Sequence, residues 1–101
     1  MTVDYSPMAI TDLVRIGADV LDASKSEAIT RNYIDGLIGT IEAKALFPRS
    51  GAPLYYGDLF TGYYSVRYKE YIAFYQVDKD KLHVDRVLYA RSDYMRTLFK
   101  E

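Results

Sequence analysis

Residues 71–94 read YIAFYQVDKDKLHVDRVLYARSDY. Tyr71 to Val77 is almost unbroken apolar and aromatic sequence, the composition of a strand covered on both faces. Asp78-Lys79-Asp80-Lys81 puts four charges in a row, which reads as a hairpin turn. Leu82 to Leu88 is the next strand. Ser92 or Asp93 then offers an oxygen to cap a short C-terminal helix, with Leu98 and Phe99 as its apolar face. The stretch predicts two antiparallel strands running into a helix, and the rest of the chain must be arranged around them.

Just upstream, Tyr64, Val66 and Tyr68 alternate with Ser65 and Arg67, a third strand of the same meander. Before it, Pro48, Gly51, Pro53 and Gly57 punctuate a segment from Phe47 to about Gly62 that reads as an unusually long loop. The N-terminal half has a different period. Val3 and Tyr5 indicate a short first strand, stopped by Ser6, which can cap a helix, and Pro7, which suits a first helical turn. Ile10, Leu13, Val14, Gly17, Val20 and Leu21 then repeat at three and four, and Asp22 to Ser26 reads as a break. A second helix over 26–45 carries Ile29, Tyr33, Leu37, Ile38, Ile41 and Ala45 on one stripe. Gly36 and Gly39 are weak helix formers, and the expectation is that they let the two helices approach closely. The predicted order is β-α-α-β-β-β-α. It is an α+β fold with an antiparallel sheet, an αα-hairpin packed on one face and a short C-terminal helix, in one domain over residues 1–101.

Composition sets outer limits. Half of the 101 residues are hydrophobic and 27% are charged, as in a folded globular domain. There is no cysteine, so disulfides and thiolate metal sites are excluded. No signal peptide and no run of roughly 18 apolar residues is visible, and a cytoplasmic protein is the expectation. The net charge of −1 hides an asymmetry: residues 1–60 hold five Lys/Arg and eight Asp/Glu, residues 61–101 eight and six. An anionic partner would therefore meet the second half.

The Ser-Pro after a short strand, an αα-hairpin ending near FP, YIAFYQVD, a turn and VDRVLYARSDY together resemble the RelE/ParE toxins. These are the toxin halves of bacterial type II toxin–antitoxin modules, including plasmid stabilisation proteins, and the likeness covers essentially the whole chain. The resemblance implies a growth inhibitor neutralised by a cognate antitoxin, acting either on translation, by ribosome-dependent mRNA cleavage, or on DNA gyrase. The alternative is a non-toxic or decayed binding module of the same fold, working through protein–protein contacts only. Neither metal nor cofactor is implied.

Metal-free RNA cleavage through the substrate's 2′-hydroxyl needs a base, cations for the charge on phosphorus and an acid for the leaving oxygen. Arg91 is the first candidate, because it matches the basic position that the family's nucleases carry after the last strand. Tyr94 and Arg67 complete the expected catalytic set. Arg86, Tyr89, Arg96 and Lys69 are the expected RNA- or target-binding residues. Arg86, lying within a strand, also reads as a buried arginine paired with Asp12 or Glu42. Glu70 and the single histidine, His83, are further proton handlers, although His83 starts the strand whose far end leads to Arg91. Ile72 stands where the nuclease branch has an arginine, and Phe99 where it has a catalytic tyrosine. Whether the protein is an mRNA endoribonuclease is therefore left open by the sequence.

Overall fold

The computed structural model describes residues 1–99. The elements run β1 (Thr2–Tyr5), α1 (Pro7–Ser24), α2 (Glu27–Ala43), a 3-10 turn (Pro48–Ser50), β2 (Ala52–Tyr56), β3 (Leu59–Tyr68), β4 (Tyr71–Asp78), β5 (Lys81–Tyr89) and α3 (Tyr94–Leu98). They form one five-stranded sheet in the order β1-β5-β4-β3-β2. β2 to β5 are an antiparallel meander, while β1 joins β5 in parallel, Tyr5 beside Val84.

This is the expected α+β architecture, with two refinements. The edge pairing is parallel, because β1 and β5 are joined by the αα-hairpin and the meander rather than by a tight turn. The segment read as a long loop holds the fifth strand. Leu54, Tyr55 and Tyr56 are good strand formers, and Gly57, at φ +63°, closes a two-residue turn into β3. Pro53 is tolerated because β2 is an edge strand with a register shift between Pro53 and Tyr55.

Ser6 makes the first junction. Its Oγ accepts the Ala9 N–H at 2.9 Å and donates to the Asp85 carbonyl at 2.6 Å, capping α1 and tying it to β5. Lys25, in the left-handed region, ends α1, and Ser26 caps α2 through the Ile29 N–H. The core lies between this hairpin and one sheet face, and includes Ala9, Ile16, Leu37, Ile41, Ala73, Tyr75, Leu82, Val84 and Val87. Burying one such aliphatic side chain contributes roughly 1.5–3 kcal/mol. Ile10, Val14 and Leu21 lie outside it and are exposed; the inward face of α1 is Ala9, Asp12 and Ile16, one step round from the expected stripe. Gly36 serves the sheet, not α1: a Cβ there would stand 2.2 Å from the Tyr68 hydroxyl, whereas Gly39 has open space.

A second, smaller apolar layer lies on the opposite sheet face. Phe74 and Leu88 are buried outside the main cluster, and Tyr94 of α3 lies over Phe74 with ring centroids 5.1 Å apart. Phe99 meets the Tyr56 and Tyr63 rings edge-on at 6.1 and 5.8 Å. Among the described residues, no helix is long and apolar enough to cross a membrane.

Candidate functional site

The two-residue turn joining β3 to β4 positions the site. Lys69 takes φ +52°, and the Glu70 carbonyl accepts the Ala90 N–H at 2.7 Å. That bond ties the turn to the residue following β5. Beyond it the chain reverses, with the Ser92 N–H and Oγ both donating to the Tyr89 carbonyl at 3.0 and 2.6 Å. As a result Arg67, Glu70, Tyr89 and Arg91 line one open cavity of about 180 Å³. Arg67 is steadied by its Nε, which donates to the Lys69 carbonyl at 2.7 Å. Tyr89 stands opposite Tyr71 in the ladder, their rings 5.8 Å apart. Among the described residues Arg91 makes no ion pair and no side-chain hydrogen bond, so its charge is available to a ligand. Two guanidiniums, one carboxylate and one phenol on a small concave rim suit a phosphate or a partner's carboxylates.

The other expected site residues lie elsewhere. Arg86 is held by Asp12, which is fully buried. Its Nε and a terminal nitrogen donate to the two carboxylate oxygens at 2.8 and 3.0 Å. Asp12 also accepts the Val87 N–H at 3.0 Å and Arg15 at 3.0 Å, so all its hydrogen-bonding capacity is used. The side-chain hydrogen bond from Arg86 to Asp12 holds the guanidinium firmly charged, against the opposing effect of burial. The placement follows from a bulge. Phe74 pairs with Arg86 but Tyr75 pairs with Val84, leaving Asp85 as the extra residue.

Tyr94 is half-buried over Phe74 and lines no part of the rim cavity. Asp93 caps α3 through the Arg96 N–H, and the Arg96 side chain turns to the same carboxylate at 3.9 Å. Lys69 reaches the Tyr33 and Tyr68 rings, its Nζ 5.1 and 5.5 Å from their centroids. His83 hydrogen-bonds Asp4 on β1, remote from the rim residues.

Three phenols donate to carboxylates: Tyr5 to Glu42 at 3.0 Å, Tyr33 to Glu70 at 2.7 Å and Tyr63 to Asp85 at 2.7 Å. Burial first, then the hydrogen bond to Asp85, pushes Tyr63 up to about 12. Burial followed by Glu70 likewise raises Tyr33, so both remain neutral donors near neutral pH. The Tyr33–Glu70 pair fixes the one carboxylate of the rim. Sequence reasoning did not find it, because Tyr33 belongs to α2 and the two residues meet only through the tertiary fold.

The sequence matches the family described as the ParE toxin of the type II toxin–antitoxin system parDE over residues 3–94. The chain belongs to the ParE toxin family. Solved structures share its fold. A chain of the chromosomal ParDE system from P. aeruginosa matches with a TM-score of 0.74 at 12% identity, over 90% of the ParE-family chain and 97% of the other. A chain of the RelBE2 toxin–antitoxin complex from Mycobacterium tuberculosis matches at 0.57 and 23% identity, over 87% and 95%. The isolated E. coli RelE toxin matches at 0.53 and 18% identity, over 96% and 93%. No curated protein matches the sequence. Membership in the ParE family makes this a toxin-type domain of a type II toxin–antitoxin system, and the shared fold extends to the RelE branch.

Proposed function

We infer that the protein arrests growth by inhibiting DNA gyrase in the cytoplasm, and that a cognate antitoxin holds it inactive until release. The observation that supports a binding mode of action is the dispersal of the residues expected to cleave or bind RNA. Tyr94 packs on Phe74 and Arg86 is held by Asp12, while Ile72 and Phe99 bring neither a cation nor a hydroxyl. What remains on the rim is Arg67, Arg91, Tyr89 and Glu70, a set suited to gripping a partner.

One observation favours a second reading, ribosome-dependent mRNA cleavage. Two guanidiniums and a carboxylate share a single cavity; in this reading Glu70 takes the 2′-hydroxyl proton while Arg67 and Arg91 hold the phosphate. Induction of the gene alone in its host separates the two. Gyrase inhibition gives DNA breaks and an SOS response with intact transcripts, whereas cleavage gives cut transcripts in primer extension. Induction without any growth defect overturns both and leaves a binding module of the same fold.

A further inference from the structure

A larger cavity, of about 430 Å³, adjoins the rim and shares Tyr89 and Glu70 with it. Three tyrosine rings line it, Tyr33, Tyr71 and Tyr89, together with Asp19 and the C-terminal turn of α1 at Ser24. The rings meet edge-on: Tyr33 and Tyr71 at 6.2 Å and 90°, Tyr71 and Tyr89 at 5.8 Å and 66°. A tyrosine ring whose face borders such a space attracts an organic cation.

Three further features favour positive charge. Among the described residues neither Asp19 nor Glu70 forms an ion pair, and Glu70 is held in place by the Tyr33 hydroxyl. α1 has no basic residue in its last turn, so its negative dipole end is not offset from within the helix. Burial and then Asp19 and Glu70 raise Tyr71, as a negative local field does. Three flanking cations already have partners, although Arg15 also offsets part of the rise at Tyr71. Arg15 pairs with Asp12 at 3.0 Å, Lys25 with Asp22 at 3.4 Å, and Lys69 lies over Tyr33 in a separate cavity shared with Tyr68. Lys69 also shows that the Tyr33 ring accepts a cation.

We propose that this tyrosine-lined cavity receives an arginine or lysine side chain of a polypeptide partner, with an acidic residue of the same segment on Arg67 and Arg91. The pairing of the two cavities carries the choice of a polypeptide. A cation seated among the tyrosines has the two rim guanidiniums beside it, which repel a free polycation. A segment carrying both signs close together satisfies both cavities at once.

The probe is a blocked peptide, acetyl-Gly-Asp-Gly-Arg-Gly-amide, titrated into the protein while ring-proton NMR signals are followed. The expected result is saturable movement of the Tyr33, Tyr71 and Tyr89 signals. Citrulline in place of the peptide's arginine weakens binding by about tenfold or more, and so does the double variant Asp19→Asn, Glu70→Gln. Agmatine alone binds more weakly than the peptide. Equal affinity of the citrulline peptide, an unaffected double variant, or no binding at millimolar peptide overturns the site. Agmatine binding as tightly as the peptide overturns the polypeptide occupant.

Discussion

Arg86 and Arg91 lie at the two ends of one short stretch, RVLYAR, and carry the same charge to opposite ends. Arg86 meets a carboxylate with no solvent exposure, which takes two of its N–H donors in a forked pair. Arg91 stands on the surface with no partner among the described residues. The difference lies in what surrounds each residue. At Arg86 the Asp85 bulge and the packing of α1 close the site, so the charge must be neutralised from within the fold. At Arg91 the chain has left the ladder, and the Ser92–Tyr89 turn leaves the guanidinium in water. One arginine holds the molecule together, and the other is free to hold something else.

Four measurements break or sharpen that contrast. Asp12→Ala strands a buried guanidinium, and equilibrium unfolding should show a loss of about 3–5 kcal/mol. A loss below about 1 kcal/mol, the scale of an ordinary exposed ion pair, would put Arg86 in the same class as Arg91. Tyr63→Phe removes the donor to the bulged Asp85 and should lower stability by about 1 kcal/mol in the same assay. Arg91→Ala should change stability by less than about 0.5 kcal/mol. It should nevertheless abolish growth arrest on induction, and retained arrest would remove Arg91 from the working surface.

The smallest effect is one that acid removes. The hydrogen bond from His83 holds the Asp4 carboxyl below its ordinary value. A depressed carboxylate stabilises the fold above its unfolded pKa, about 3.9, and the contribution is lost as pH falls through the lower folded value. Asp4→Asn should therefore lower the melting temperature slightly at neutral pH, and the difference from the wild type should vanish in acid. It should flatten the fall in melting temperature below about pH 4. An equal shift at all pH values would mean that the pair acts through packing and not through charge.

The meander, the αα-hairpin and the Ser6-Pro7 junction were legible because period and capping are local properties of the chain. β2 was not, because Pro53 and the flanking glycines mask a strand that survives only at a sheet edge. Strict alternation puts Val84, Arg86 and Leu88 on one covered face. Val84 and Arg86 do meet the core and Asp12, but the Asp85 bulge, which no local pattern announced, gives the next core position to Val87 and leaves Leu88 outside that cluster. Asp12 was named as one of two partners for Arg86, and helix packing selected it over Glu42, which takes the Tyr5 hydroxyl instead. The gathering of Arg67, Tyr89 and Arg91 could be expected from strand ends. Tyr94 could not be placed, since an amphipathic ring next to a cap suits a wet rim as well as an apolar layer.

The position of β1 bears on how the molecule is made. Among the described residues its sheet partner is β5 alone, and Ser6 and Asp12 on the segment that follows also wait for residues 84–87. A chain emerging from the ribosome cannot complete this sheet until β5 has been synthesised, since β1 and β5 close the same seam. Premature termination before β5 would therefore release an incomplete sheet without Tyr89 and Arg91, so the rim cavity forms only once β5 and the turn after it have been made.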